Sequence, residues 1–239
     1  MSNQETALKA FTPRLLAEST SKFYVDAPTA DIDVTDWLFN IDDLEYINCT
    51  PHSKAHLAAG FTHGPDGKRM SINVEDIGGA LIVEHYHEAI SEKLHCRVVS
   101  ISDLLMGREY TTADVIWELI ATPVDGTHHE FVNNVWVHTT GKFEQYIEAH
   151  GISYEEVRHN FQTALEAHNA EETPFFAAGI ERRALNKKKR ASLLRDEPCR
   201  PSQVTGIDDL LLVGHLDEAE RMLAELDPTP FPPAWRTAL

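Results

Sequence analysis

With 239 residues, 42% hydrophobic and 25% charged content and a formal net charge of −17, the chain reads as a globular protein of one sizeable domain with additions, or of two small ones. Its negative charge argues by simple repulsion against nucleic acid and anionic membrane surfaces as partners, and no apolar stretch approaches the roughly 20 residues of a bilayer-spanning helix. Three widely spaced cysteines (Cys49, Cys96 and Cys199) suggest neither a disulfide framework nor a metal knuckle. The first residues lack a basic region followed by an apolar run, so a cytoplasmic protein without a signal peptide is expected.

Residues 1–33 read as an N-terminal extension, with a short helix over residues 5–18 and an extended piece near residues 22–24. Residues 36–46 carry amphipathic helical spacing, with Thr35 or Asp33 as N-cap. Pro51 marks a helix boundary and opens the cluster Pro51-His52-Ser53-Lys54-Ala55-His56. The centre is β-rich. Strands are predicted over residues 58–62 and 70–75, around a turn at residues 64–67, then over 80–88 and 94–101. A helical scrap follows near residues 103–106. Two further strands, 111–123 and 129–139, are joined through Asp125-Gly126, a hairpin signal. About six strands with short links favour an antiparallel sheet over a βαβ array.

A short helix is predicted over residues 141–149, and Ser153 caps a long one with Glu155 and Glu156 in its first turn. Pro174 cannot donate to residue 170, which predicts a kink just beyond Glu172. A helix, a meander and a long final helix together predict an α+β helix-grip architecture, with a cavity between sheet and helix. The expected division is an extension (1–33), a helix-grip catalytic domain (34–186) and a C-terminal arm (187–239). Two short helices (206–213 and 216–226) and a proline-rich end (228–233) would make that arm a packing or homodimerising element. The basic run at residues 182–190 reads as a solvated helix end.

The clue to chemistry lies on the long helix. Its apolar stripe runs Val157, Phe161, Ala164, Leu165, then His168 and Glu172, then Phe175 and Phe176, in steps of three and four. An unpaired carboxylate on a buried face is costly, so it is usually neutralised, hydrogen-bonded or bound to a cation. A His and a Glu one turn apart reach one metal ion. A buried His–Glu hydrogen bond, or a helix rotated to expose both, are the bland alternatives. On the strand at 80–88, alternation places Ala80, Ile82, Glu84, Tyr86 and Glu88 on one face and Leu81, Val83, His85 and His87 on the other. Parity alone does not choose the inward face. His52 and His56 stand four apart, but Pro51 interrupts any regular helix through them. The sequence contains no glycine-rich phosphate loop, Gly-x-Ser-x-Gly elbow or Cys-x-x-Cys pair.

Asp36-Trp37-Leu38-Phe39, then Tyr46, Pro51-His52-Ser53-Lys54-Ala55-His56 and Gly79-Ala80-Leu81-Ile82-Val83-Glu84-His85-Tyr86 together resemble the core of the 2,4-diacetylphloroglucinol hydrolase and phloretin hydrolase family. The resemblance covers residues 34–180 and is strongest in those segments. It implies a START-like (SRPBCC) helix-grip domain holding one zinc and cleaving the carbon–carbon bond between an acyl group and a phenolic ring. It also implies a ligand set of His52, Glu84, His168 and Glu172, with His56 as the alternative to His52. The long N-terminal region of those hydrolases is shortened here, and the segment beyond Lys187 has no counterpart.

Two imidazoles and two carboxylates without thiolate suit zinc, and would also accept iron(II) or manganese. In the hydrolase reading Glu172 and Glu84 are equal candidates for the base, and Tyr86, His87 and Trp117 are candidate cavity walls or proton donors. The expected partner is an acylated aromatic, polyketide-like or β-diketone-like small molecule. The competing readings are a non-haem iron oxygenase on an aromatic substrate and a metal-free polyketide cyclase or hydrophobic-ligand-binding protein.

Overall fold

The computed structural model describes residues 11–193, with side chains to Asn186. Seven antiparallel strands form one sheet in the order β1-β7-β6-β5-β4-β3-β2. In chain order they are β1 (Leu15–Asp26), β2 (His56–His63), β3 (Arg69–Ile77), β4 (Ala80–Ser91), β5 (His95–Met106), β6 (Glu109–Pro123) and β7 (His128–Thr139). Short helices α1 (Val34–Phe39) and α2 (Asp43–Ile47) lie between β1 and β2, and α3 (Gly141–His150) and the long α4 (Tyr154–Leu193) follow β7. A meander with a long final helix is the expected helix-grip architecture. Among the described residues no helix is long and apolar enough to cross a membrane.

Strand β6 shows most plainly why it belongs in the sheet. In β6, Ala113, Val115, Trp117, Leu119 and Ala121 are buried at alternate positions, the period of a face turned to a core. The turn between β3 and β4 is Gly78-Gly79, both with positive φ (63° and 84°), the left-handed backbone that a two-residue hairpin requires. On α4, Val157, Leu165, His168, Glu172, Phe176 and Ile180 are buried in steps of three, four and eight residues.

Three local expectations are corrected and one alternative is decided. The helix expected over residues 5–18 is strand from Leu15, and residues 5–10 lie outside the described residues. Instead of standing apart as an extension, this segment supplies β1, which pairs along β7 and makes the sheet seven-stranded. The single helix expected over 36–46 is two, because Asn40 leaves helical geometry and Asp42 starts a new cap, accepting from the Glu45 N–H at 2.8 Å. The stretch 103–106 is strand, with Leu104 buried and Leu105 exposed. The cap of α1 is Asp33, which accepts from the Asp36 N–H, while the Thr35 hydroxyl donates to the Glu92 carbonyl instead. Helix α4 continues through Pro174 to Leu193.

The compact unit carrying the site ends at Ala184, and a second begins at Leu185. The helices expected at 206–213 and 216–226, the proline-rich end and the dimerising role of the arm lie outside the described residues.

Candidate metal centre and cavity

Four side chains from three elements converge. His56 opens β2 and Glu75 lies directly opposite it in the β2–β3 register. His168 and Glu172 stand one turn apart on α4. One donor atom from each lies within 4.8 Å of all the others, and all four residues are buried. His56 Nε2 is 3.0 Å from Glu172 Oε2, 3.3 Å from His168 Nε2 and 3.6 Å from Glu75 Oε1. His168 Nε2 is 3.2 Å from Glu172 and 3.5 Å from Glu75.

These gaps test the fit to a metal. Donors at about 2.0–2.1 Å from a tetrahedral ion are separated from one another by about 3.3 Å. The three gaps among His56, His168 and Glu172 lie close to that value, Glu75 offers one oxygen to each imidazole at 3.6 and 3.5 Å, and two imidazole nitrogens with two carboxylates are a set that zinc accepts. Neighbouring groups also hold the donors in the required orientation. His56 Nδ1–H donates to the Tyr46 carbonyl at 2.8 Å, which leaves Nε2 facing the cluster. The Tyr46 ring stacks on His56 with centroids 3.8 Å apart, and its hydroxyl donates to Glu75 Oε1. On the far side Trp117 Nε1–H donates to Asn133 Oδ1 at 2.8 Å, and Asn133 Nδ2–H donates to Glu172 Oε1 at 2.9 Å. The residues fit the group.

The electrostatics agree with a site built for positive charge. Burial pulls the His168 imidazole down, but Glu172 and Glu75 outweigh it and hold it up at about 9. Burial likewise opposes the charged form of His56, and the Glu172 and Glu75 carboxylates overcome it. Burial raises the Glu172 carboxyl, while His168 and His56 bring it well below the ordinary range. Glu84 goes the other way: burial and then the neighbouring Glu75 charge push it well above its usual value, so this carboxyl keeps its proton.

Three of the four, Glu75, His168 and Glu172, lie in the wall of a cavity of about 430 Å³ between the sheet and α4, within the size range of small-molecule pockets. The alternation left open by the sequence is resolved. Ala80, Ile82, Glu84 and Tyr86 line the cavity; His87 is exposed on the opposite face. Glu84 accepts from the Tyr86 hydroxyl at 2.8 Å, and the Tyr86 ring packs against Trp117.

Of the sequence candidates, the structure brings His168 and Glu172 together and places Glu84, Tyr86 and Trp117 in the cavity wall beside them. His52 does not join the cluster. It is exposed, with its backbone N–H donating to Glu171 at 2.7 Å. His56 occupies the expected position, because the turn after Pro51, with Lys54 at φ 59°, delivers the first residue of β2 and not a helical face. Glu75 and Asn133 are absent from the sequence reading, and Tyr46 enters it only through the family resemblance. A signal for Glu75 existed: Ser71, Asn73 and Glu75 form a polar row at alternate positions of β3, and that row is the buried one.

No family model matches the sequence, and no curated protein matches it. Solved structures do match. An aromatase/cyclase, ZhuI from Streptomyces sp. R1128, is similar with a TM-score of 0.50 and 15% identity over 72% of this chain and 96% of that one. A START superfamily protein from Mycobacterium smegmatis is similar with a TM-score of 0.39 and 11% identity, covering 71% and 98% of the two chains. A truncated norcoclaurine synthase from Thalictrum flavum has a TM-score of 0.37 and 12% identity, covering 74% and 98%. What the chain shares with the aromatase/cyclase is the helix-grip fold.

Proposed function

We propose that this protein is a zinc-dependent hydrolase that cleaves the carbon–carbon bond between an acyl group and the ring of a phenolic or β-diketone-like small molecule. The observation that carries this reading is the convergence of one donor atom each from His56, Glu75, His168 and Glu172 within 4.8 Å of one another, the last three in the wall of a largely apolar cavity. A divalent ion held by these four residues supplies a Lewis acid that polarises a carbonyl oxygen and acidifies water. The rest of the work falls to the protein's own groups. Trp117, Tyr86 and Phe176 present ring faces to an aromatic substrate. Glu84, kept protonated by burial and Glu75, delivers its proton to the ring carbon that bears the acyl group, with Tyr86 holding the carboxyl in place. Water then adds its oxygen to the acyl carbon and gives a proton back to Glu84. The bond to the ring carbon breaks with its electron pair returning to the ring. The products are the deacylated phenol and a carboxylic acid, and the balance consumes one water.

In this assignment Glu84 acts as acid and then base, and Glu172, anchored by Asn133, stays with the ion. His87, on the outer face, takes no part. The test is elemental analysis of freshly purified protein beside a chromatographic assay with acylphloroglucinols. One zinc per chain is expected, with metal and turnover lost together in His168→Ala and Glu172→Ala while circular dichroism is unchanged. Full metal occupancy in both variants would overturn the assignment.

A second reading draws on the likeness to ZhuI: a cyclase that folds a polyketide chain in the same cavity without metal. It requires undiminished activity after exhaustive chelation, which separates it from the hydrolase. A visible ligand-to-iron band in the purified protein would point instead to an oxygenase.

A further inference from the structure

The cavity is longer than the reacting groups need. Its exposed lining residues, Gly78, Gly79, Gly107 and Asn160, mark where it meets solvent. The metal cluster lies away from them, and the distance can be read along three elements. On β7, Asn133 holds Glu172, and the strand climbs from it to Val137 in the cavity wall, about 13 Å at the usual rise. On β6, the step from Trp117, which is bonded to Asn133, to Ala113 is again about 13 Å. On α4, the path from Glu172 back to Phe161 is about 16 Å. The side chains along this outer length are Ala113, Val115, Val135, Val137, Phe161 and Leu165. These six are apolar, four on β6 and β7 and two on α4, and Tyr146 and Asn160 are the polar residues that line the cavity beside them.

From this we infer that the outer half of the cavity is a length-reading chamber, and that the substrate is an elongated molecule with one polar, carbonyl-bearing end and an extended apolar part, an alkyl chain or a second ring. The inference rests on the proposed function in placing the carbonyl at the metal cluster. A single ring with an acetyl group would leave the chamber to water, which has few hydrogen-bond partners along a wall whose polar side chains are Tyr146 and Asn160. An apolar extension would displace it and gain the burial of each added group. The polar end has to enter first, since every carboxylate and imidazole of the cavity lies at the inner end.

Binding of two homologous series tests this by calorimetry, one lengthening the acyl chain of acylphloroglucinols from acetyl to dodecanoyl, the other lengthening an alkyl chain on the ring of 2-hydroxyacetophenone. In zinc-loaded protein one series should tighten by about fourfold per added methylene until the chamber is full. Val137→Phe, which fills the chamber without touching the cluster, should weaken the longest tight ligand at least tenfold and leave the acetyl compound unchanged. Val137→Ala, which carries no overpacking, should move the optimum to a longer chain. Affinity independent of length in both series, or wild-type binding of long chains by Val137→Phe with native circular dichroism, would overturn the chamber. Length-dependent binding without turnover would remove the hydrolase reading and leave the chamber standing. Turnover of the acetyl compound with no dependence on length would do the reverse.

Discussion

Buried carboxylates occupy both faces of this sheet, and their surroundings could hardly differ more. On the outer face, Glu118 of β6 accepts from Arg97 at 2.6 and 2.9 Å, from His95 at 2.8 Å and from Asn134 at 3.2 Å. Its charge is matched by side chains of the neighbouring strands. On the cavity face Glu75, Glu84 and Glu172 cluster together, and among the described residues no Lys or Arg pairs with any of them. His56 and His168 are their only ion-pair partners there. A carboxylate with its own guanidinium is architecture. Several buried carboxylates sharing two imidazoles have room for a cation, and in one of them, Glu84, burial and then the Glu75 charge raise the carboxyl well above its usual value.

The sharpest way to break this contrast is to neutralise one carboxylate from each face. Glu75→Gln should lower zinc affinity by at least ~100-fold, a ligand loss exceeding the range seen for supporting residues. Glu118→Gln should leave zinc affinity and turnover at wild-type values and cost about 1 kcal/mol in urea unfolding, since Arg97 and His95 are partly solvated. Competition with a chromophoric chelator reads the first and denaturation the second. Equal metal loss in both variants would erase the distinction.

How much of this was legible follows from the geometry of each element. The pairing of His168 with Glu172 could be read, because a helix fixes residues four apart on one face whatever else the fold does. Glu84 and Tyr86 could be read as one face of β4, but not as the inward one, since both faces of that strand carry apolar residues. Glu75 is not legible from hydrophobicity, because in β3 the apolar Ile72 and Val74 are half-buried and the polar row is the buried one. Strand β1 is legible only near residues 22–24, where the sequence reads as extended, and its start is hidden for a related reason. It is an edge strand with Leu16, Ala17 and Val25 buried and a mostly exposed middle, so its alternation is faint and Leu15-Leu16-Ala17 imitates a helix turn. The order of the sheet and the curl that brings β2 and β7 to the same glutamate are long-range facts with no local signature.

The pH response sharpens the same contrast. Burial raises Glu118, but the bonds from His95 and Arg97 prevail and hold its folded value below the ordinary 4.5. A depressed carboxyl stabilises the fold above its unfolded value and loses that contribution as pH falls through the folded one. Arg97→Ala should therefore be less stable than wild type at pH 7, and the difference should close between about pH 5 and 3. Urea midpoints of zinc-loaded protein across that interval check the sign. A gap that widens on acidification would show that Arg97 stabilises the sheet by some other route.

The smallest expected effect concerns how the two halves of the cluster are kept in register. Glu171 precedes the ligand Glu172 on α4, and its Oε1 accepts from the backbone N–H groups of His52 at 2.7 Å and Ser53 at 3.1 Å. One carboxylate thus ties the helix that carries His168 to the turn that delivers His56. The backbone bonds, and not the His52 ring, make the tie. His52→Ala should then leave zinc affinity unchanged, whereas Glu171→Ala should lower it by about tenfold, in the range of a residue that orients ligands without touching the ion. Glu171→Gln, whose amide oxygen still accepts from both N–H groups, should restore most of the loss. If the alanine and glutamine variants bind zinc equally poorly, charge and not register is what Glu171 supplies. Loss of zinc in His52→Ala would return that ring to the ligand set.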